Sequence, residues 1–180
     1  VHHIENKKRR SSTGSTSNNQ SSDSNDDDAV AKYGKNVART KPGDLPGGSN
    51  GEKIFNYLKG KGLTSEQAAG VIGNLAAESN LNPEAYNPND VGKPAYGLAQ
   101  WRAERYDKLR TYENYETLET QMDYMWDELT SHSYLGLGAL RNSRTVGEAT
   151  SVFETKFERP RPGTFNKRFN YASDAYDNYS

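Results

Sequence analysis

Glu78 stands three residues after Leu75 and seven after Val71, at the end of a run in which Ala68, Val71, Ile72, Leu75 and Ala76 recur at helical spacing. That spacing predicts an amphipathic helix opened by Thr64 and Gln67 as a capping box, with the Glu78 carboxyl on its apolar face at the C-terminal end. Partial burial and the negative end of the helix dipole both favour the protonated form there and raise its expected pKa. A carboxyl that stays protonated near neutral pH is what a general acid requires, because it must deliver a proton to a leaving oxygen. The same position admits a second reading, in which Glu78 turns outward or pairs with an arginine such as Arg102 or Arg105.

Beyond Glu78, the stretch from Ser79 to about Gln100 carries Pro83, Pro88, Gly92, Pro94 and Gly97 and predicts a long loop, of the kind usually kept for function. It brings Tyr86, Tyr96, Gln100 and Trp101 within reach of the helix end. Amides bond hydroxyl and N-acetyl groups, and aromatic faces cover the apolar face of a pyranose ring, so this set suits a sugar. Packing is the alternative use of the same aromatics. No His/Asp/Glu cluster has ligand spacing and there is no Cys, so neither a metal nor another cofactor is expected, and no thiol chemistry.

The elements that must position these residues read as helices. Ile54, Phe55, Tyr57 and Leu58 form a stripe closed by Gly60 and Gly62. Trp101 to about Leu109 is a further candidate, then Leu118, Met122, Met125, Trp126 and Leu129. Val146, Ala149, Phe153 and Phe157 follow, with Thr145 and Glu148 as a capping box, and Phe165, Phe169, Ala172 and Tyr176 close the chain. Residues 51–180 thus predict one all-α globule.

Residues 1–50 have another character. A basic run (Lys7, Lys8, Arg9, Arg10) leads through a Ser/Thr/Asn/Gln tract to Asp26, Asp27 and Asp28, and Pro42, Gly43, Pro46, Gly47 and Gly48 end it as a linker. Such a segment buries too little to offset its ordering entropy, and is expected to be a disordered or extended tail spanning about 35–42 Å as a random coil. It lowers the apolar share of the 180 residues to 32%. His2 and His3 are too few for a metal site. A net charge of −1 gives no nucleic-acid footprint, and no stretch fits a membrane span. The Val1 start and the lack of an apolar leader suggest a fragment cut from a longer polypeptide.

The run Gly73-Asn74-Leu75-Ala76-Ala77-Glu78-Ser79, then Asn82-Pro83 and Ala85, then Gly97-Leu98-Ala99-Gln100-Trp101 resembles the phage tail lysozyme family, and more distantly goose-type lysozymes and soluble lytic transglycosylases. The likeness extends over nearly all of residues 51–180, including Gln121 to Leu129, Phe157-Glu158-Arg159-Pro160 and Arg168 to Tyr176. It implies a lysozyme-like fold and cleavage of the β-1,4 bond between N-acetylmuramic acid and N-acetylglucosamine in peptidoglycan, with Glu78 as general acid. Ser79 would orient Glu78, Tyr86, Tyr96 and Gln100 would hold the sugar, and Trp101 would anchor the loop beside it. Glu158 and Arg168 would form a structural ion pair locking the last helices to the catalytic one.

The resemblance names no second carboxylate. Asp90 in the loop is the first choice to activate a water, Glu104 and Glu84 the next. If none serves, the muramic acid's own N-acetyl or 6-hydroxyl group attacks, as in lytic transglycosylases; a tyrosine motif of the soluble transglycosylases is missing, which tilts the reading to hydrolysis. The resemblance further implies a virion tail protein acting at the host wall during genome entry, with residues 1–50 tethering it to other tail proteins. Two other readings stand beside it: an inactive wall-binding or structural tail module, and a nucleic-acid protein using the Lys7 to Arg10 cluster.

Overall fold

In the computed structural model, residues 16–36 and 39–180 are described; Lys7 to Arg10, His2 and His3 lie outside them. The described chain forms eight α-helices and one small sheet. In chain order these are α1 (Thr16–Tyr33), α2 (Asn50–Gly60), α3 (Ser65–Ser79), β1 (Tyr86–Asp90), β2 (Lys93–Tyr96), β3 (Trp101–Arg102), α4 (Ala103–Leu109) and α5 (Leu118–Ser131). A 3-10 turn (Ser133–Leu135), α6 (Leu137–Asn142), α7 (Val146–Val152), a π-helical turn (Phe153–Glu158) and α8 (Phe165–Tyr179) complete it.

The expected helix α3 is the axis of the fold. Thr64 Oγ1 accepts from the Gln67 amide and Gln67 Oε1 accepts from the Thr64 amide, so two otherwise orphaned donors at its start are satisfied. Every residue from Gln67 to Ala76 is buried, because α2, α7, the π-turn and α8 pack around it. Two glycines permit this. A Cβ on Gly70 would meet that of Ala149 at 2.6 Å, and one on Gly73 would meet that of Ala172 at 2.5 Å and strike the Arg168 carbonyl. The backbones of α7 and α8 therefore lie directly against α3.

Where a loop is expected between Ser79 and Gln100, the chain instead folds into a hairpin. β1, β2 and β3 pair antiparallel in that order, with Tyr86 opposite Tyr96, Asp90 opposite Lys93, and Tyr96 opposite Trp101. Val91 and Gly92 turn it with φ of 50° and 79°, the left-handed pair that a two-residue hairpin turn needs. Gln121 on α5 clamps its base: Nε2 donates to the Pro83 and Tyr115 carbonyls, and Oε1 accepts from the Leu98 amide. Gly97 has φ 83° and a Cβ there would sit 2.7 Å from Gln121 Oε1, so both torsion and space select glycine. Trp101 and Arg102 belong to the sheet, and α4 starts only at Ala103.

The described part of the tail is not free of the globule. α1 rests on α4, with Ala29 buried and Asp26 ion-paired to Arg110 at 3.2 Å. Asn36 then bridges Tyr112 in parallel, and the strap from Arg39 to Gly43 lies along α5. There Glu119, Asp123 and Asp127, one helical turn apart on a single face, each hold it. Asp127 pairs with Arg39 at 2.8 Å, Asp123 accepts from the Thr40 amide and hydroxyl at 2.7 and 2.8 Å, and Glu119 accepts from the Gly43 amide at 3.1 Å. No apolar periodicity marks this docking, since the strap bonds through backbone and short polar groups.

Gly73→Ala is expected to lower stability. Overpacking costs about 1–3 kcal/mol, and a better helix former returns at most about 1 kcal/mol. Urea unfolding midpoints check this, and a midpoint at or above the parent's would show that α3 and α8 can separate at little cost.

Candidate active site

Glu78 closes the last turn of α3, its side chain 19% exposed. Its partner is neither Arg102 nor Arg105 but Arg168 of α8, whose Nη2 lies 2.6 Å from Glu78 Oε2. Arg168, 4% exposed, is fixed along its whole fork. Nη1 donates to Asn74 Oδ1 at 3.1 Å, Nε donates to Thr164 Oγ1 at 3.0 Å, and Nε also lies 3.3 Å from Glu154 Oε2. Asn74, one turn before Glu78 and fully buried, is itself aligned by donating to the Gly70 and Thr150 carbonyls. A planar guanidinium held by three elements thus sets the position of the Glu78 carboxylate.

Glu158 does not form the expected ion pair with Arg168; the arginine's carboxylate partners are Glu78 and Glu154. Glu158 ends the π-turn with its Oε2 buried and without a hydrogen-bond partner. Burial pushes its carboxyl well above the ordinary carboxyl range, the nearby Glu78 charge adds to this, and Arg105 and Arg168 only partly oppose it. Arg105 is committed elsewhere: Nε lies 2.7 Å from Glu128 Oε2 and Nη1 donates to the Phe157 carbonyl.

The other expected site residues divide. Tyr86, at the start of β1 and 55% exposed, offers an aromatic face. Tyr96 lies buried behind it, ring centroids 6.3 Å apart, stacked on Tyr106 and edge-on to Tyr115, so it supports that face instead of presenting one. Trp101 is 2% exposed and its Nε1 donates to Glu128 Oε1 at 2.7 Å, which places it in the core and leaves no face for a ligand. Gln100 spends its amide nitrogen on the Ala85 and Gly97 carbonyls, holding the hairpin base. Ser79 Oγ donates to the Leu75 carbonyl, four residues back, and not to Glu78. Asp90 sits at the hairpin tip, half-exposed, with Arg102 Nε at 3.3 Å. Glu104 pairs along α4 with Lys108.

Asn74, Glu154 and Thr164 are the residues that sequence reading did not single out. A polar side chain on the apolar stripe one turn before Glu78 was the available signal for Asn74. Nothing local marks Glu154 or Thr164, which meet Arg168 only through the packing of the π-turn and α8 on α3. Among the described residues, no group of His, Asp and Glu has the arrangement to hold a metal ion. A separate cavity of about 480 Å³ lies among Tyr33, Tyr112, Tyr124, His132, Tyr134 and Arg159. Glu78 does not line it, and its acids Glu104, Asp127 and Glu128 are each ion-paired.

A helix ending in a guanidinium-held glutamate, followed by an antiparallel hairpin and closed by a second helix that supplies the arginine, defines a lysozyme-like unit. The chain belongs to the phage tail lysozyme family, whose family model matches residues 49–179, and membership supports a phage lysozyme-like peptidoglycan hydrolase. It is also similar to morphogenesis protein 1 of Bacillus phage B103, at 25% identity over 123 residues, 62% of this chain and 34% of that protein. The chain therefore spans about a third of that relative's length.

Arg168→Ala would leave the carboxyls of Glu78 and Glu154 and the Asn74 amide oxygen without their cation. The expected loss of stability is about 3–5 kcal/mol, as for breaking a buried pair from one side. Arg168→Lys, which keeps charge but not the fork, should lose less. Denaturant unfolding of the two variants checks the order, and equal losses would mean that the fork geometry contributes nothing.

Proposed function

We propose that this chain is a peptidoglycan-cleaving enzyme of a phage tail, acting on the β-1,4 bond between N-acetylmuramic acid and N-acetylglucosamine, with Glu78 as general acid. The observation that carries the reading is the Glu78 carboxyl at the partly exposed end of an otherwise buried helix, fixed in place by Arg168. Membership of the phage tail lysozyme family supports the substrate class. The exposed ring of Tyr86, on the hairpin that follows the acid's helix, is suited to stack on a sugar.

In this reading Glu78 protonates the bridging oxygen as the bond breaks, and positive charge develops on the departing ring. A water then completes hydrolysis, or a group of the muramic acid itself attacks and closes a 1,6-anhydro ring. Asp90 remains the first candidate to activate the water, once freed from Arg102. The physiological setting we infer is local opening of the host wall during genome entry. Residues 1–50 would link the enzyme to other tail proteins, and residues 51–180 would do the chemistry; no role in binding nucleic acid or membrane is proposed.

Digestion of purified peptidoglycan by the full chain and by Glu78→Gln tests this. Removal of a general acid is expected to cut muropeptide release by about 10²–10⁴-fold without loss of the helical circular dichroism signal. Reducing-end muramic acid among the parent's products would identify hydrolysis, and a product lighter by one water the anhydro route. Wall binding without any release by the parent would overturn the enzymatic reading in favour of a structural one.

A further inference from the structure

The cavity of about 480 Å³ that Glu78 does not line falls within the range of about 300–1,000 Å³ usual for small-ligand sites. Its charges do not cancel. Glu104 is paired with Lys108 at 3.3 Å, Asp127 with Arg39 at 2.8 Å and Glu128 with Arg105 at 2.7 Å, so each lining acid has its own cation. Arg159, exposed directly after the π-turn, lines the same cavity, and its guanidinium has no hydrogen bond or ion pair with any described residue. One positive charge is left over there, on the side chain whose planar fork matches a carboxylate through two parallel bonds.

The floor of the cavity is apolar although tyrosines build it. Tyr112 and Tyr124 meet edge to face with ring centroids 5.2 Å apart, and both spend their hydroxyls inside the protein, Tyr112 donating to Asp127 Oδ2 and Tyr124 to the Arg105 carbonyl, each at 2.6 Å. Buried Leu135 adjoins them. Tyr134 differs: it is 63% exposed, and its ring lies beside that of His132 with centroids 5.3 Å apart. A further wall comes from the tail. Tyr33 ends α1 there, and Asn36 is fixed by its bridge to Tyr112 and by donating from Nδ2 to Thr111 Oγ1 at 3.0 Å, which leaves its Oδ1 to accept from a ligand amide. The site is therefore complete only where the tail lies docked on α4 and α5.

We propose that this cavity is a second binding site for the wall, one that takes a carboxylate-bearing muramyl peptide. Arg159 pairs with the carboxylate, Tyr134 and the tyrosine floor take the apolar faces of the sugar and its peptide, and Asn36 accepts from an amide. The inference rests on the reading of peptidoglycan as the substrate, and adds a place that holds the wall without touching the bond that breaks. Two features select this ligand. A polyol phosphate carries a matching charge but has no apolar face to lay on the rings, whereas a neutral glycan covers the rings and leaves Arg159 unmatched. A muramyl peptide supplies both, a carboxylate beside methyl groups and a pyranose ring. An exposed ion pair is worth little by itself, so affinity depends on the ring contacts as much as on the charge.

The test is an amide NMR titration of the full chain with N-acetylmuramyl dipeptide, a ligand with one amino sugar and one free carboxylate. Saturable shifts are expected at Asn36, Thr111, Tyr134 and Arg159, and equally so in Glu78→Gln. Arg159→Gln should weaken binding about tenfold, the scale of one hydrogen bond to a charged group, and Arg159→Lys should recover part of the loss. Tyr134→Ala should weaken it several-fold. Both side chains are exposed, so these variants are expected to fold as the parent does. The carboxamide of the same ligand should bind the parent no better than the acid binds Arg159→Gln. The proposal is overturned if shifts gather only around Glu78 and Tyr86, if the carboxamide binds as well as the acid, if glycerol phosphate displaces the dipeptide at equal concentration, or if millimolar ligand shifts nothing. A parent chain that binds the dipeptide at Arg159 and cleaves no wall would keep this site and sink the enzymatic reading, and cleavage without these shifts would do the reverse.

Discussion

The fork of Arg168 is the contact on which the arrangement depends. It joins the end of α3, the π-turn and the first turn of α8 in one set of charge-assisted bonds, and the close packing of α8 on α3 brings it there. Gly73 and Ala172 are small because the arginine's own backbone must lie against α3 for its side chain to reach Glu78. Asn74 extends the same bond network into α7 through the Thr150 carbonyl. Position of the carboxylate is therefore a property of helix packing, not of the loop that follows it.

The helices were legible in the sequence because each carries a stripe that must be buried. The Thr64 and Gln67 box, the apolar run to Ala76 and the stripe of α5 from Leu118 to Leu129 all appear as their spacing requires. The hairpin was not legible. Its first strand reads Tyr-Asn-Pro-Asn-Asp, a poor strand composition with proline at an edge position, and it lies exposed for most of its length. Its register is imposed from outside by Gln121, a residue far along the chain. Helical periodicity also carried the α7 stripe through Phe153 and Phe157, where the structure widens into a π-turn that keeps both rings buried.

At the site, the position of Glu78 followed from spacing, and its partner did not. A buried arginine far along the chain leaves no local trace, and the arginines near Glu78 in sequence, Arg102 and Arg105, are bound to Asp90 and Glu128. The aromatics show the same limit from the other side. Tyr86, Tyr96 and Trp101 are equal candidates as letters and, as directly opposed residues, share one face of the sheet, but only the first keeps an open ring, because Tyr106 and Tyr115 pack on Tyr96 and the core around Glu128 encloses Trp101. Residue type told what each side chain can do, while its exposure was decided by what packs against the sheet.

The strap along α5 bears on where the folding unit begins. Glu119, Asp123 and Asp127 form a stripe of like charge one turn apart, an arrangement that repels itself by about 0.2–0.5 kcal/mol per neighbouring pair on a helix. Arg39, Thr40 and Gly43 are the counterweight. Tyr57 and Tyr112 also bond to this stripe, through Asp123 and Asp127, so they would feel any change in it. A polypeptide trimmed to the apolar pattern at residue 51 would keep every buried side chain of the helical core and yet expose an unbalanced acidic ridge. The economical boundary by hydrophobicity and the boundary by charge balance thus fall at different places in this chain.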